Sequence, residues 1–285
     1  MNTLKYLNIE KNNFNLDFDL FSQVYNRVRK EIRKDLRVER RFRDLNSRLY
    51  LYELYFNVGK TFNIFSSRGK CLGLDIGCGK GHLTSILNEL GIETIGIDLL
   101  EPEGNQDFPK DKAELKRLWQ KLGSQFATKF LFASARHLPF CKGSFDFVIF
   151  NSSFEHICKR EEEFSELLRK VGYILKPGAF IFIFLLPNKY SFLEWILKKP
   201  YLKSKYFPHK RAFSYKELRR IVEKADYKIV EAYLSHFFPY MVSNINPVYS
   251  VYNFITPGLL RLENILFKTK IRKYFTYYTL VLKGS

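Results

Sequence analysis

The stretch Cys71–Thr84, CLGLDIGCGKGHLT, decides how the rest of the chain is read. Leu72 to Ile76 is a short buried strand, Gly77, Gly79 and Gly81 make a glycine-dense turn, and a helix then carries on through Leu90. Glycines at alternate positions permit backbone conformations that a side chain forbids, and they bring N–H groups against a ligand. The helix N-terminus adds a partial positive charge. Asp75 precedes the first glycine, and Asp98 closes the next strand-like run, Thr94–Asp98. An acid about twenty residues beyond such a turn is where dinucleotide-like folds place a ribose-binding carboxylate. The element reads as a nucleoside-binding site.

Outward from this turn the chain alternates. Strand-like runs at Leu72–Ile76, Thr94–Asp98, Lys129–Ala133, Phe145–Phe150 and Ala179–Leu186 are separated by helical patterns at His82–Leu90, Lys112–Leu122 and Arg160–Tyr173. That rhythm predicts a parallel sheet with helices on both faces. Ala179–Leu186 shows no polar alternation, so it is buried on both sides. The turn Lys176-Pro177-Gly178 stops the helix before it. Ser214 with Glu217 forms a capping box that opens a further helix running to about Ala225. Strands at Tyr227–Tyr233 and Tyr274–Leu282 complete the set.

Ahead of the sheet, residues 1–16 are polar and irregular, a lead-in without structure. From Asp17 to about Phe56 the pattern is helical, with Val24, Val28, Ile32 and Leu36 making one apolar stripe. The other faces are basic, among them Arg27, Arg29, Lys30, Arg33, Arg37 and Arg40. Such a face is either solvated, with the stripe docked on the main domain, or a contact for lipid or RNA. Leu49–Val58 is a second apolar segment packed before the first strand. Two later segments depart from the plan. Leu197–Arg211 carries six Lys or Arg and no acid, and Phe237–Leu260 has no charged residue over 24 positions and six aromatics. The expected division is a helical cap segment over 1–66 and a main domain over 67–285. Insertions at 188–213 and 236–272 would form the acceptor side of that domain.

The 285 residues carry 47 Lys and Arg against 29 Asp and Glu, a formal charge of +18. A balance this basic points to an anionic partner, whether nucleic acid, phospholipid surface or phosphorylated substrate, unless it serves solubility alone. Cys71, Cys78, Cys141 and Cys158 form no C-x-x-C pair and have no histidine at zinc spacing, so no metal site is expected and reduced thiols suit a cytoplasmic protein. The N-terminus lacks the apolar core of a signal peptide. Pro239, Pro247 and Pro257, with Asn244, Asn246 and Asn253, oppose a spanning helix and fit a folded lid. The expectation is a cytoplasmic protein with peripheral contact at a membrane surface.

LDIGCGKG (74–81), GID (96–98), SARHLPF (134–140), SFDFVIFNSSFEHI (144–157) and LKPGAFIFI (175–183) together resemble the class I S-adenosylmethionine (SAM)-dependent methyltransferases. The likeness is greatest to the methyltransferase type 11 branch that includes ubiquinone/menaquinone-biosynthesis enzymes. It covers about Gly69 to Pro187, and FSYKELRRIVEKADYKIV extends it to about Val230. A nicotinamide enzyme on the same fold needs G-x-G-x-x-G, and here His82 stands where its third glycine belongs.

The resemblance implies a Rossmann-like α/β fold, with a seven-stranded, mostly parallel sheet and an antiparallel last strand. It implies SAM as cofactor. Asp75 would hold the turn through backbone amides and favour the cationic end of the ligand. Gly77, Cys78 and Gly79 would carry the methionine portion, and Gly81 would be a further cofactor-binding residue of the turn. Asp98 would take the ribose hydroxyls, Leu99 would pack on the adenine, and Asn151 would meet the ammonium. Relatives often place an acid for the adenine amine where this chain has Ser134 and Ala135; Ser134 can accept one uncharged bond there. If the acceptor needs a general base, His156 is the first choice over Glu155, His137 and His209, the competing reading being that His156 caps the next helix. Three functions remain open: methyl transfer to a small-molecule or lipid-like acceptor, RNA methylation through the basic helix, and a non-catalytic SAM-fold subunit. Against RNA, Asn151-Ser152-Ser153-Phe154 stands in place of an N-P-P-Y motif.

Overall fold

The computed structural model describes residues 5–6, 14–35, 47–67, 69–99, 112–192, 195, 211–238 and 248–284. In chain order the elements are β1 (Lys5–Tyr6), α1 (Phe18–Asp35), α2 (Arg48–Phe65), β2 (Gly73–Ile76), α3 (His82–Glu89), β3 (Thr94–Asp98), α4 (Lys112–Phe126) and β4 (Lys129–Phe132). They continue with β5 (Phe145–Asn151), α5 (Phe154–Ile157), α6 (Glu161–Ile174), β6 (Leu175–Pro187), α7 (Tyr215–Glu223), β7 (Tyr227–Ser235) and α8 (Val248–Phe267). A 3-10 turn (Lys270–Tyr274) leads into β8 (Tyr277–Gly284).

The sheet order is β1-β7-β8-β6-β5-β2-β3-β4. β8 alone runs antiparallel to its neighbours β6 and β7. The expected seven strands are present in this order. An eighth is added where none was expected: Lys5 and Tyr6 pair in parallel with Tyr233 and Leu234 on the β7 edge. Two residues are too short to show a strand periodicity, which is why the lead-in reads as irregular.

Period-2 alternation explains why the central strands divide the interior into two cores. Phe147 and Ile149 of β5, with Phe182 and Phe184 of β6, pack under α1 to α4. Val148 and Phe150, with Ile181 and Ile183, pack under α6 and α7. A buried aliphatic or aromatic side chain contributes about 1.5–3 kcal/mol, so this doubly covered centre is the rigid part of the molecule. Asp17 caps α1 by accepting from Leu20 N at 2.8 Å, and Val24, Val28 and Ile32 are buried as the stripe requires. Leu36, Arg37 and Arg40 lie outside the described residues. Ser214 accepts from Glu217 N at 3.2 Å, the cap expected for α7.

Helix α6 ends at Ile174 as expected, but the turn after it takes another form, and one expected break is absorbed. Lys176-Pro177-Gly178 lies inside β6, where pairing skips from Phe145–Leu175 to Phe147–Phe180, so the turn is a bulge in the strand. Pro257 lies inside α8. Proline has no N–H to give the carbonyl four residues back, and Arg48 Nη1 donates to that carbonyl, Asn253 O, at 3.4 Å. The helix therefore runs through. Among the described residues no helix is long and apolar enough to cross a membrane.

Candidate methyl-donor site

The glycine turn joins β2 to α3 at the centre of the sheet, beside the ends of β3 and β5. Gly77 (φ +74°) and Gly81 (φ +77°) occupy left-handed backbone, where side chains are strained. A Cβ on Gly77 would stand 2.5 Å from the Ser153 Cβ, and one on Gly81 would stand 2.4 Å from the Phe130 ring. The turn is thus fixed by its neighbours as well as by its own chain.

Its amides do not face outward as expected. Gly77 N and Cys78 N both donate to Ile97 O, at 2.8 and 3.0 Å, and Gly81 N donates to Cys78 O at 2.9 Å. Gly79 N donates to Asp98 Oδ2 at 2.9 Å. Asp98, and not Asp75, is therefore the carboxylate that holds the turn. With these donors spent, the turn is no phosphate cradle; two acids and backbone carbonyls remain to meet a ligand, a setting for a cation.

Asp75 is buried. Its Oδ2 accepts from Thr84 Oγ1 of α3 at 2.7 Å, while Oδ1 has no hydrogen-bond partner among the described residues. Burial, opposed by the Thr84 bond and helped by the charge of Asp98, lifts the Asp75 pKa to about 7. Asn151, at the end of β5, has its Oδ1 enclosed and likewise unpartnered among the described residues. A buried polar atom without a partner is costly unless a ligand or water satisfies it. Cys78 is buried, its thiol pushed up by burial and then by Asp75 and Asp98, so it is an inert filler.

At the ribose side, Leu99 is exposed. Ser134 is already engaged: its Oγ accepts from Arg136 N at 3.1 Å and its carbonyl accepts from His137 N, closing a tight turn around buried Ala135. His156 sits in α5, half-exposed, with Nε2 3.7 Å from Oε1 of the fully buried Glu155. It does not cap α6. The N-cap residue is Arg160, without a side-chain cap; Glu163 accepts from Lys159 N at 3.1 Å, and three acids in the first turn of α6 supply the N-terminal charge. His137 lies beyond Ser134 in the tight turn, and His209 lies outside the described residues.

Some neighbours of the turn were not legible in the sequence. Tyr50 of α2 meets His82 at the start of α3, Oη to Nε2 at 2.8 Å. Burial, then Lys80, lowers the His82 pKa to about 4, so the imidazole is neutral at physiological pH. Trp119 of α4 donates from Nε1 to Gly79 O at 3.0 Å and packs against Phe130 and Phe132. Phe132 is paired in register with Asp98 and is exposed, so an aromatic surface flanks that carboxylate. One turn of α2 beyond Tyr50, buried Glu53 meets buried His236, Oε2 to Nε2 at 2.5 Å, with Glu263 Oε2 of α8 3.6 Å from Nδ1. Burial alone would lower the His236 pKa; the charge of Glu53, with Glu263 behind it, outweighs burial and lifts it to about 10. Only their spacing in the fold unites these three residues.

A family model described as "Methyltransferase domain" matches residues 40–232, more than half of the chain. The chain belongs to this methyltransferase family. The matched region is a SAM-dependent methyltransferase domain, and the cation-adapted turn fits that donor. The human mitochondrial protein named arginine-hydroxylase NDUFAF5 is 32% identical over 111 residues, which are 39% of this chain and 27% of that protein. The chain thus matches about a quarter of that relative's length. Among solved structures, a SAM-dependent methyltransferase from Archaeoglobus fulgidus is similar with TM-score 0.51 and 21% identity, over 79% of this chain and 92% of that one. The [4+2]-cyclase SpnF is similar with TM-score 0.52 and 14% identity, over 80% of each chain. A methyltransferase, a cyclase and a protein named a hydroxylase are all similar to this chain, so the reaction must be argued from the site rather than from the fold.

Proposed function

We propose that this methyltransferase transfers the methyl group of SAM to a small-molecule or lipid-like acceptor, with anionic acceptors favoured by charge. The observation that carries the donor half is the buried Asp75 carboxyl oxygen without a hydrogen-bond partner among the described residues, beside a turn whose Gly77, Cys78, Gly79 and Gly81 amides are tied off. A carboxyl poised near neutrality suits an ammonium, which draws it into its ionised form. SAM, when bound, supplies an electrophilic methyl on a good leaving group.

The residues then divide the work. Asp75 and Asn151 receive the ammonium, and Gly77, Cys78 and Gly79 leave room for the methionine portion. Gly81 turns the chain into α3. Asp98, anchored on Gly79 N, takes the ribose hydroxyls, and its geometry is fixed by the bond that anchors it. Leu99 and Phe132 offer apolar surface for the adenine, with Ser134 and Ala135 at its edge. The uncovered area of Leu99 and Phe132 supports this assignment. In-line displacement needs chiefly positioning, worth up to about 7–11 kcal/mol. Where the acceptor must lose a proton, His156 takes it, with the buried Glu155 carboxyl 3.7 Å from its Nε2. Segments 1–66, 188–213 and 236–272 form the acceptor side.

The experiment is to incubate the purified chain with methyl-labelled SAM and fractionated small-molecule and lipid extracts. Label should enter an organic-extractable or anionic small molecule in the wild type. His156→Gln should lower turnover by about 10²–10⁴-fold, with SAM affinity unchanged, if the base is used. Label appearing only in RNA or protein would overturn the acceptor class.

A further inference from the structure

Helix α8 is built inside out. Its polar side chains face the protein. Glu263 and Thr256 are buried, Glu263 Oε1 accepts from Phe237 N and Phe238 N at 2.7 and 2.9 Å, and Asn253 Oδ1 accepts from Arg48 N at 3.0 Å. Leu266 and Phe267 at its end pack on the core, but five of its large apolar side chains face away: Val251 is 61% exposed, Phe254 82% and Ile265 61%, with Ile255 and Leu262 also exposed. At 3.6 residues per turn these five fall within an arc of about 100°. A helix docked on a soluble domain carries the reverse pattern, with its apolar stripe inward.

Charge states what the stripe meets. Arg261 borders it, and Lys268, Lys270, Arg272 and Lys273 follow it, all exposed. Glu263 is the last acidic residue in the chain, and it points inward. The outer surface from Val251 to Tyr274 therefore combines apolar and cationic groups with no acid. Phe192 and Trp195, stacked at 6.0 Å and both exposed, join it through Phe237, which stacks on Phe192 and whose amide is held by Glu263. Tryptophan suits the boundary between headgroups and acyl chains, and Lys or Arg stems reach from that depth to phosphate. No protein or nucleic-acid surface is implied by so apolar a stripe bordered by cations alone; a bilayer with anionic headgroups is.

We infer that α8 and the 3-10 turn after it lie in the plane of an anionic phospholipid surface, with the Val251–Ile265 stripe among the acyl chains and Lys268 to Lys273 at the phosphates. The inference does not rest on the identity of the methyl acceptor, and its test is independent of turnover.

The test is co-sedimentation of the full chain with vesicles of phosphatidylcholine alone or mixed with phosphatidylglycerol, in low and high salt. The wild type should pellet with the mixed vesicles in low salt and far less with phosphatidylcholine alone. Lys270→Gln/Lys273→Gln should weaken binding to the mixed vesicles by roughly 25-fold, about fivefold for each cation. Phe254→Glu/Ile265→Glu should abolish pelleting with both. All four positions are exposed, so thermal midpoints should stay at the wild-type value. The inference is overturned if the wild type stays in the supernatant, if it partitions equally into the two vesicle types, or if Phe254→Glu/Ile265→Glu pellets as wild type. It is overturned as well if that variant instead dissociates a dimer on sedimentation, since the stripe would then belong to a second copy of the chain.

Discussion

The glycine-turn side of the sheet and the α8 side both bury polar groups, but they do so on opposite plans. Around the turn, Asp75 Oδ1 and Asn151 Oδ1 are enclosed without a partner among the described residues. Under α8, Glu263 takes two backbone amides and stands beside His236, while Asn253 takes the Arg48 amide. The first arrangement is incomplete without a ligand. The second is built from groups the protein supplies to one another, the His236 ring standing between the Glu53 and Glu263 carboxylates as an ion cluster, and it is the outer face of α8 that meets the surroundings. Helix α2 reaches both: Tyr50 meets His82 at the turn, and Glu53 meets His236 under α8. What distinguishes the turn is that its two unpartnered oxygens, Asp75 Oδ1 and Asn151 Oδ1, sit at the ends of adjacent strands beside the glycines.

The largest expected effect breaks the α8 side. Glu53→Ala leaves His236 charged against Glu263 alone and should cost about 3–5 kcal/mol of stability, read from urea unfolding. The same ion cluster gives a pH window. Because the His236 pKa is raised in the fold from 6.5 to about 10, its contribution is fully present below about pH 6.5 and is lost as pH rises towards 10. Wild-type stability should fall more steeply across that range than that of Glu53→Ala. Parallel slopes would show that His236 carries no such linkage.

On the incomplete side, Gly77→Ala combines a positive φ with a 2.5 Å approach to Ser153 and should cost about 1–3 kcal/mol while removing SAM binding. Calorimetry on the folded variant checks it; wild-type affinity would mean the turn is not the cradle.

Asp75 sharpens the comparison through protons. Burial holds its carboxyl at about 7, so below that pH the neutral form prevails. A cationic ligand favours the ionised form, and binding must then release a proton. SAM affinity should fall towards about tenfold per pH unit below pH 7. Asp75→Asn should bind weakly with a flat profile, and a flat wild-type profile would remove Asp75 from the ammonium site. The smallest effect is a control far from both regions: Ser214→Ala removes the α7 cap and should cost about 1 kcal/mol without touching SAM binding.

The sequence was most informative where chemistry and spacing are local. The β2-turn-α3 unit, the Ser214 cap and the unalternating β6 all follow from neighbours within a few residues. The sequence misled where a distant group supplies a missing partner. Arg48 takes the carbonyl that Pro257 leaves free, which no reading of 248–267 alone can contain. The turn amides pair with Ile97 O, set by the register of β2 on β3, so their direction was not visible in the glycine pattern. Glu53, His236 and Glu263 are far apart in the chain and meet only after the sheet edge and α8 have closed over α2. The inside-out polarity of α8 was hidden for the same reason: an uncharged aromatic run reads as a folded lid, and which of its faces turns inward is set by Glu53, His236 and Arg48 elsewhere in the chain.

The most direct measurement is calorimetric titration of the wild type and Asp98→Ala with S-adenosylhomocysteine, with thermal midpoints recorded for both. The wild type should bind one equivalent, and Asp98→Ala should bind about 100-fold more weakly or not at all, since two charge-assisted bonds are lost. No binding by the folded wild type, or equal binding by Asp98→Ala, would contradict the assignment of the glycine turn and Asp98 as the methyl-donor site.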